Sequence, residues 1–331
     1  MKKVSVKKVC MVLGLAFLIT MFSYCLAPWA GAQLVLKAGH NTAADYPHGR
    51  ILLHFADKVG EYSQGKLKIQ VYHNETLGHE RALFEGLRLG TVDIAKTISS
   101  VPGNWVTELG IFDLPYLFKD LDHQLSVLNG PIGKDLSQKL EDSGVKILWW
   151  GEQGTRNFYT SKVQINRVSD MKGLKIRVME SPIMVDTINA LGAAATPMPY
   201  GEIYTSIKQG IIDGAENAPD ALYVSKQYEV AKYYALTEHF RTPVIFMMSM
   251  ITWKKLTPEN QGYILKAAAD ASEWGKTLYS KEAAEYLKKL KDAGEIVTTP
   301  NTEEFRQAVE PVYAKYGAKF GLDRIKSIRG K

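Results

Sequence analysis

The chain has 331 residues, 46% of them hydrophobic, with 41 Lys+Arg against 35 Asp+Glu and two cysteines. That length accommodates two lobes, each with its own core, and no Lys/Arg-rich block marks a nucleic-acid partner. Both cysteines, Cys10 and Cys25, lie within the first 32 residues, so the remainder has neither disulfide nor thiol chemistry available. Lys2, Lys3, Lys7 and Lys8 precede the uncharged run MVLGLAFLITMFSYCLAPWA, and Ala30-Gly31-Ala32 is a small-x-small site before Gln33. This is the pattern of a secretory signal peptide over residues 1–32; Pro28 and the small-residue end argue against a membrane anchor. FSYC, Phe22 to Cys25, is a poor lipoprotein box, so no lipid is expected. Without the four leader lysines the balance is 37 basic against 35 acidic residues, and the formal charge falls from +6 to +2. The expectation is an exported, soluble, periplasmic protein beginning at or near Gln33.

LVLKAG (Leu34 to Gly39) reads as a short strand, followed by a helix with apolar positions Ile51, Leu52, Phe55, Ala56 and Val59. KLKIQVYH is an alternating strand, ERALFEGLRLG a helix stopped by Gly90, and TVDIAKTI the next strand. Strand, helix, strand, helix, strand is the grammar of right-handed crossovers and a parallel sheet. The same grammar returns after VKILWWGEQG: the strand GLKIRVME, a helix with Met184, Val185, Ile188 and Leu191, the helix PYGEIYTSIKQG, then IIDGAENAP. LKIQV (Leu67 to Val71) resembles LKIRV (Leu174 to Val178), and LGTVDIA (Leu89 to Ala95) resembles QGIIDGA (Gln209 to Ala215), in the same order. Two related α/β lobes follow. On that alignment Gln70 stands opposite Arg177, so the arginine is specific to one lobe. It also sits near the C-terminal end of its strand, where ligands bind in open α/β sheets. Thr257-Pro258 reads as a helix start, with helix formers from there to Ala293, and NTEEFRQAVEPVYAKYGAKFG as a further helix interrupted at Pro311.

The sequence offers no catalytic motif that survives inspection. GEYSQGK has the glycine–lysine spacing of a phosphate loop, but Leu67 stands where Ser or Thr must bind magnesium, and the helix precedes the strand. HERAL starts like a zinc-protease helix, but Leu83 replaces the second histidine. The other histidines show no ligand spacing, and neither a GxSxG elbow nor a dinucleotide glycine fingerprint is present. No metal or cofactor is expected.

GTRNFYTSK, DMKGLKIRVMESP, LGAAATPMPYGEIYTSIKQG and IIDGAENAP, with GKLKIQVY, LRLGTVDIA and LPYLF earlier in the chain, resemble the substrate-binding proteins of tripartite ATP-independent periplasmic (TRAP) transporters, the dicarboxylate-binding type. The resemblance covers essentially the whole chain after residue 32. It implies a two-lobed periplasmic binding protein fold of α/β class, each lobe a mostly parallel sheet flanked by helices, with a long helix crossing both. Lobe I would comprise residues 33–153 with a return segment of about 243–281, and lobe II residues 154–242 with C-terminal helices of about 282–331. It further implies a cleft that closes on an organic acid and delivery of the loaded ligand to membrane subunits, by a protein expected to be monomeric. Arg177 matches the family's carboxylate-binding arginine, Arg156 a second cleft arginine, Asn217 the asparagine that helps hold ligand and arginine, and Tyr200 an aromatic contact. Asn41, Glu80 and Ser99 fall near cleft positions of the first lobe. The chemistry agrees, because a planar guanidinium presents two parallel donors to a carboxylate. Plainer roles stand beside these: Arg156 bracing a loop, Glu80 capping a helix, Tyr200 filling the core. Ile98, at a position some relatives fill with an acidic side chain, disfavours amino-sugar acids. The expected ligand is a hydroxylated carboxylate such as a uronate, ahead of a C4-dicarboxylate and a small sulfonate. The alternative function is an exported enzyme on the same scaffold.

Overall fold

The computed structural model of the chain describes residues 33–330; the leader expected over 1–32 lies outside them. The strands are β1 (Leu34–Gly39), β2 (Leu67–Tyr72), β3 (Ile94–Ile98), β4 (Val145–Gly151), β5 (Arg156–Thr160), β6 (Lys175–Val178), β7 (Ala194–Pro197), β8 (Gly214–Asn217), β9 (Tyr233–Phe240), β10 (Val244–Ser249) and β11 (Ile296–Thr298). They form a five-stranded sheet ordered β2-β1-β3-β10-β4 and a six-stranded sheet ordered β11-β9-β5-β8-β6-β7. Reversed, the second order is β7-β6-β8-β5-β9 with β11 added, so the two sheets share one topology.

That topology corrects the repeat. β6 occupies the place of β1, between its two neighbours, whereas LKIQV of β2 is an edge strand equivalent to β7. Backbone contacts fix the register. Asp93 Oδ2 accepts from the Lys37 amide at 2.8 Å, and Asp213 Oδ2 accepts from the Lys175 amide at 2.8 Å. Ala38 lies opposite Ile94 in β3 as Ile176 lies opposite Gly214 in β8. The counterpart of Arg177 is therefore Gly39, not Gln70. The LKIxV match is period-two alternation of apolar and polar side chains, which strands in different places of a sheet share, while the aspartate match reflects the same hydrogen bond made in both sheets. At Gly39 a Cβ would lie 2.6 Å from Leu83 Cδ2, so the first sheet uses that position to seat a helix closely.

The expected parallel pairing runs along one flank of the first sheet and both flanks of the second, where β11 and β9 are also parallel. β1–β3, β6–β7 and β6–β8 are parallel, but β10 is antiparallel to both β3 and β4, and β5 is antiparallel to both β8 and β9. The cause is connectivity: the chain leaves the first sheet through β4 into β5 of the second, and returns through β9 into β10.

The helix Pro258–Asp292 runs for 35 residues, about 50 Å at 1.5 Å per residue. Thr257 caps it by accepting from the Asn260 amide at 3.2 Å, with Pro258 in the first turn. Ile264, Ala267, Ala268 and Ala271 share an apolar cluster with Phe246 of the first sheet and with Leu52 and Phe55 of helix Pro47–Tyr62, whereas Leu290 shares one with Tyr159 and Tyr234 of the second sheet and with Ile203. Gly275 permits the crossing with helix Pro47–Tyr62, since a Cβ there would meet Ile51 Cδ1 at 2.9 Å. The C-terminal run forms helices Thr302–Ala308 and Glu310–Phe320, broken at Val309 beside Pro311 as the sequence suggests. A third apolar cluster joins Leu83, Leu109 and Ile245 to Val178, Ile183 and Phe305, so burial is continuous between the two sheets. Among the described residues no helix is long and apolar enough to cross a membrane.

Candidate functional site

The strand ends converge on one polar cavity. Asn41 follows β1, Ile98 ends β3, Arg177 is the penultimate residue of β6, and Asn217 ends β8. Arg156 joins them because β5 runs antiparallel, which places its first residue at the carboxyl end of β8. Asn41, Glu80, Arg156, Arg177, Tyr200 and Asn217 line this cavity together, as ligand sites in open α/β sheets do. Its innermost space is about 30 Å³. Asn41, Thr42, Tyr46 and Tyr200 also border an outer chamber of about 300 Å³ that includes Glu75 and Lys226, at the lower end of the usual size for small-molecule sites.

The two arginines are held very differently. Arg156 is 1% exposed, and its Nε and Nη2 donate to the Glu216 carboxylate at 2.5 and 2.9 Å. Nη2 also donates to the Glu216 carbonyl at 2.8 Å, and Nη1 donates to Asn217 Oδ1 at 3.0 Å. Burial alone would raise the Glu216 carboxyl, but Arg156 and the nearby His239 outweigh it and hold the group at about 2. Arg156 is thus consumed largely by a buried, two-pronged ion pair. Arg177, 3% exposed, donates from Nε and Nη2 to one acceptor, the Met198 carbonyl, at 2.9 and 2.7 Å. Burial lowers its pKa, and among the described residues no carboxylate forms an ion pair with it.

Sequence reasoning missed Lys96 and Gln153. Lys96 is 4% exposed in the middle of β3; its Nζ donates to Asn41 Oδ1 at 3.0 Å and to Glu80 Oε1 at 3.4 Å. Burial lowers its pKa, and the Glu80 carboxylate opposes that effect. Glu80 opens the helix Glu80–Leu89, and its Oε1 also accepts from the Ile98 amide at 3.2 Å. It therefore ties helix to strand and holds the lysine, beyond the helix-capping role open to it from sequence. The available signal was a lysine inside the short strand Ile94–Ile98, flanked by Ile94, Ala95 and Ile98, and all five residues are buried. Gln153 donates to Asn217 Oδ1 at 2.7 Å.

Tyr200 borders every part of the cleft, and burial pushes its hydroxyl up to about 12, so it is a neutral donor or acceptor. Ser99 is not brought to the cavity. It is fully buried, its hydroxyl has no partner among the described residues, and its neighbour Ile98 lines the wall instead. Among the described residues no cluster of three metal-ligating side chains occurs.

The description "Bacterial extracellular solute-binding protein, family 7" matches residues 38–319. The chain belongs to this family. Among its relatives, a TRAP periplasmic solute-binding protein from Sulfitobacter sp. NAS-14.1, solved with bound β-D-galacturonate, is 33% identical over 90% of this chain and 100% of its own, with a TM-score of 0.87. Another from Polaromonas sp. JS666, bound to D-erythronate, is 34% identical over 90% of this chain and 98% of its own, also at 0.87. The 2,3-diketo-L-gulonate-binding periplasmic protein YiaO of Escherichia coli (strain K12) is 30% identical, covering 83% of this chain and 84% of its own. Family 7 membership makes this an extracytoplasmic solute-binding protein that works with TRAP membrane subunits.

Proposed function

We propose that the protein captures a hydroxylated carboxylate, a sugar acid such as a uronate or aldonate, in the cleft between its two sheets and presents it to the TRAP membrane subunits. The observation that carries this reading is Arg177: a buried guanidinium with two donors on a backbone carbonyl, no carboxylate of its own, and a polar cavity before it. A bound carboxylate would supply the missing counter-charge in a two-pronged geometry that an ammonium cannot match. Arg156 and Asn217 then brace the floor, while Asn41, Lys96, Glu80 and Tyr200 meet the ligand's hydroxyls. The sugar acids bound by the Sulfitobacter and Polaromonas relatives support this class over a C4-dicarboxylate.

In this reading residues 1–32 are a cleaved leader. Residues 33–153 with the return segment 243–281 form lobe I, and 154–242 with the C-terminal helices form lobe II; the membership of β10 in the first sheet and of β11 in the second supports that division. Ligand is released unchanged, so incubation with a bound acid leaves it chemically intact; consumption would favour the enzyme reading. The direct test is a thermal-shift screen against organic acids. A ligand present at about 100 times its dissociation constant adds about 2.7 kcal/mol. Uronates or aldonates should raise the melting temperature by several degrees. A shift with C4-dicarboxylates or sulfonates and none with sugar acids would refute the proposed class.

A further inference from the structure

Three cations, Lys96, Arg156 and Arg177, line the innermost cavity, and carboxylates pair them unevenly. Arg156 is matched by Glu216 at 2.5 Å, and Lys96 by Glu80 at 3.4 Å. Arg177 is left over, the one of the three that no carboxylate pairs among the described residues. Two further acids lie nearby. Asp220 sits outside the cavity wall and Glu75 at its rim; burial raises the pKa of both, and neither forms an ion pair with Arg177 among the described residues.

The donor and acceptor inventory at the Lys96 end is equally specific. A lysine ammonium has three donors; two go to Asn41 and Glu80, leaving one for a ligand oxygen. Glu80 Oε1 accepts from Lys96 and from the Ile98 amide, while Oε2 has no protein partner among the described residues. An ionised carboxylate only accepts hydrogen bonds. The open oxygen is thus matched by a hydroxyl, which brings a donor, and opposed by a second carboxylate, which brings a like charge and no donor. In a desolvated cavity that difference is large, because a buried unpaired charge is far more costly than a buried hydroxyl with a partner.

We propose that Glu80, acting with Lys96, sets the valence of the ligand: one carboxylate seated on Arg177, with hydroxyls and no second acid at the Lys96 end. This rests on the sugar-acid reading and narrows it to monoacids. Discrimination comes as much from the group that rejects the wrong ligand as from those that attract the right one.

The test uses pairs of open-chain acids that differ only in a terminal CH2OH or carboxylate: galactonate with galactarate, and erythronate with meso-tartrate. Calorimetric titration of the wild type should show the monoacid binding at least tenfold tighter in whichever pair binds. Glu80→Gln keeps an acceptor while removing the charge, and should move the mono-to-diacid ratio at least tenfold toward the diacid. Glu80→Leu with Lys96→Met removes both charges together and should restore preference for the monoacid; it also serves should Glu80→Gln not fold, as judged by its melting curve without ligand. Wild-type affinity for diacids equal to that for monoacids, or a ratio unmoved by Glu80→Gln, overturns the valence role and leaves the sugar-acid reading standing. If only uronates bind, galacturonate against galactarate supplies the comparison; if no sugar acid binds the wild type, both fall.

Discussion

Arg156 and Arg177 are equally buried yet stabilise different states. Arg156 completes an ion pair whose loss would strand Glu216 inside the protein, a cost of about 3–5 kcal/mol. Arg156→Met should therefore lower the melting temperature without ligand by about 10 °C, taking roughly 2–4 °C per kcal/mol. The same pair gives a pH dependence with a definite sign. The Glu216 carboxyl is depressed in the folded protein from an ordinary 4.5 to about 2. Its contribution is complete above about 4.5 and is lost as pH falls toward 2. Wild-type stability should drop through that window more steeply than that of a variant carrying Arg156→Met with Glu216→Leu; parallel melting curves from pH 5 to pH 2 would contradict this. Arg177 is a cation buried without a carboxylate, so truncation relieves a desolvation cost and should lower stability far less than Arg156→Met. Its affinity effect should be large, since a ligand carboxylate left unpaired in the closed cleft costs about 3–5 kcal/mol, or roughly 10²- to 10³-fold. Arg177→Ala binding within threefold of wild type would remove it from the site.

β8 carries both Glu216 and Asn217, so its seating on β5 governs the cavity floor. At Gly214 a Cβ would lie 2.1 Å from the Tyr159 carbonyl, a backbone atom that cannot swing aside. Gly214→Ala should cost about 1–3 kcal/mol through a forced backbone shift and weaken ligand binding as well, both measurable by melting curve and titration. An unchanged melting temperature would mean the strand pair yields freely. The elements themselves were legible because each signal was local: Gly90, with φ of 74°, ends its helix, Thr257-Pro258 starts another, and alternation marks the strands. Which element corresponds to which was less legible. LKIQV and LKIRV share alternation without sharing a place in the sheet, whereas Asp93 and Asp213 share a backbone contact and do correspond. The antiparallel places of β5 and β10 within these sheets were less legible, because their sheet neighbours are not their neighbours along the chain.

The cleft gathers Lys96, Glu80 and Asn41 from one sheet and Arg156, Arg177 and Asn217 from the other, so neither half alone surrounds a ligand. Binding should favour the closed arrangement, and the radius of gyration in solution scattering should fall on saturation with a bound sugar acid; an unchanged value contradicts closure. The candidate site was legible where a short motif carried it, as in GTRNF, LKIRV and AENAP. Lys96 escaped because a lysine in a strand reads as a solvated face until its neighbours are known to be buried on both sides. Ser99 is buried one position past Ile98, and it is Ile98 that takes the cavity wall.

The return of the chain through β10 has a temporal consequence. β10 lies between β3 and β4, yet it begins at residue 244, after every strand of the second sheet except β11. As a polypeptide emerges amino terminus first, β1 to β4 are exposed with a missing strand at the centre of their sheet. The core of the second sheet, β5 to β9, is meanwhile contiguous over residues 156–240 and lacks only an edge. The half of the molecule that appears first thus stays open at an interior position until the central strands of the other half have all been made. Until residues 244–249 arrive, β3 and β4 hold unpaired hydrogen-bonding edges of the kind that invite mispairing. A chain ended at residue 243 should remain in that condition indefinitely, a protease-sensitive first sheet beside a second sheet whose central strands have all been made.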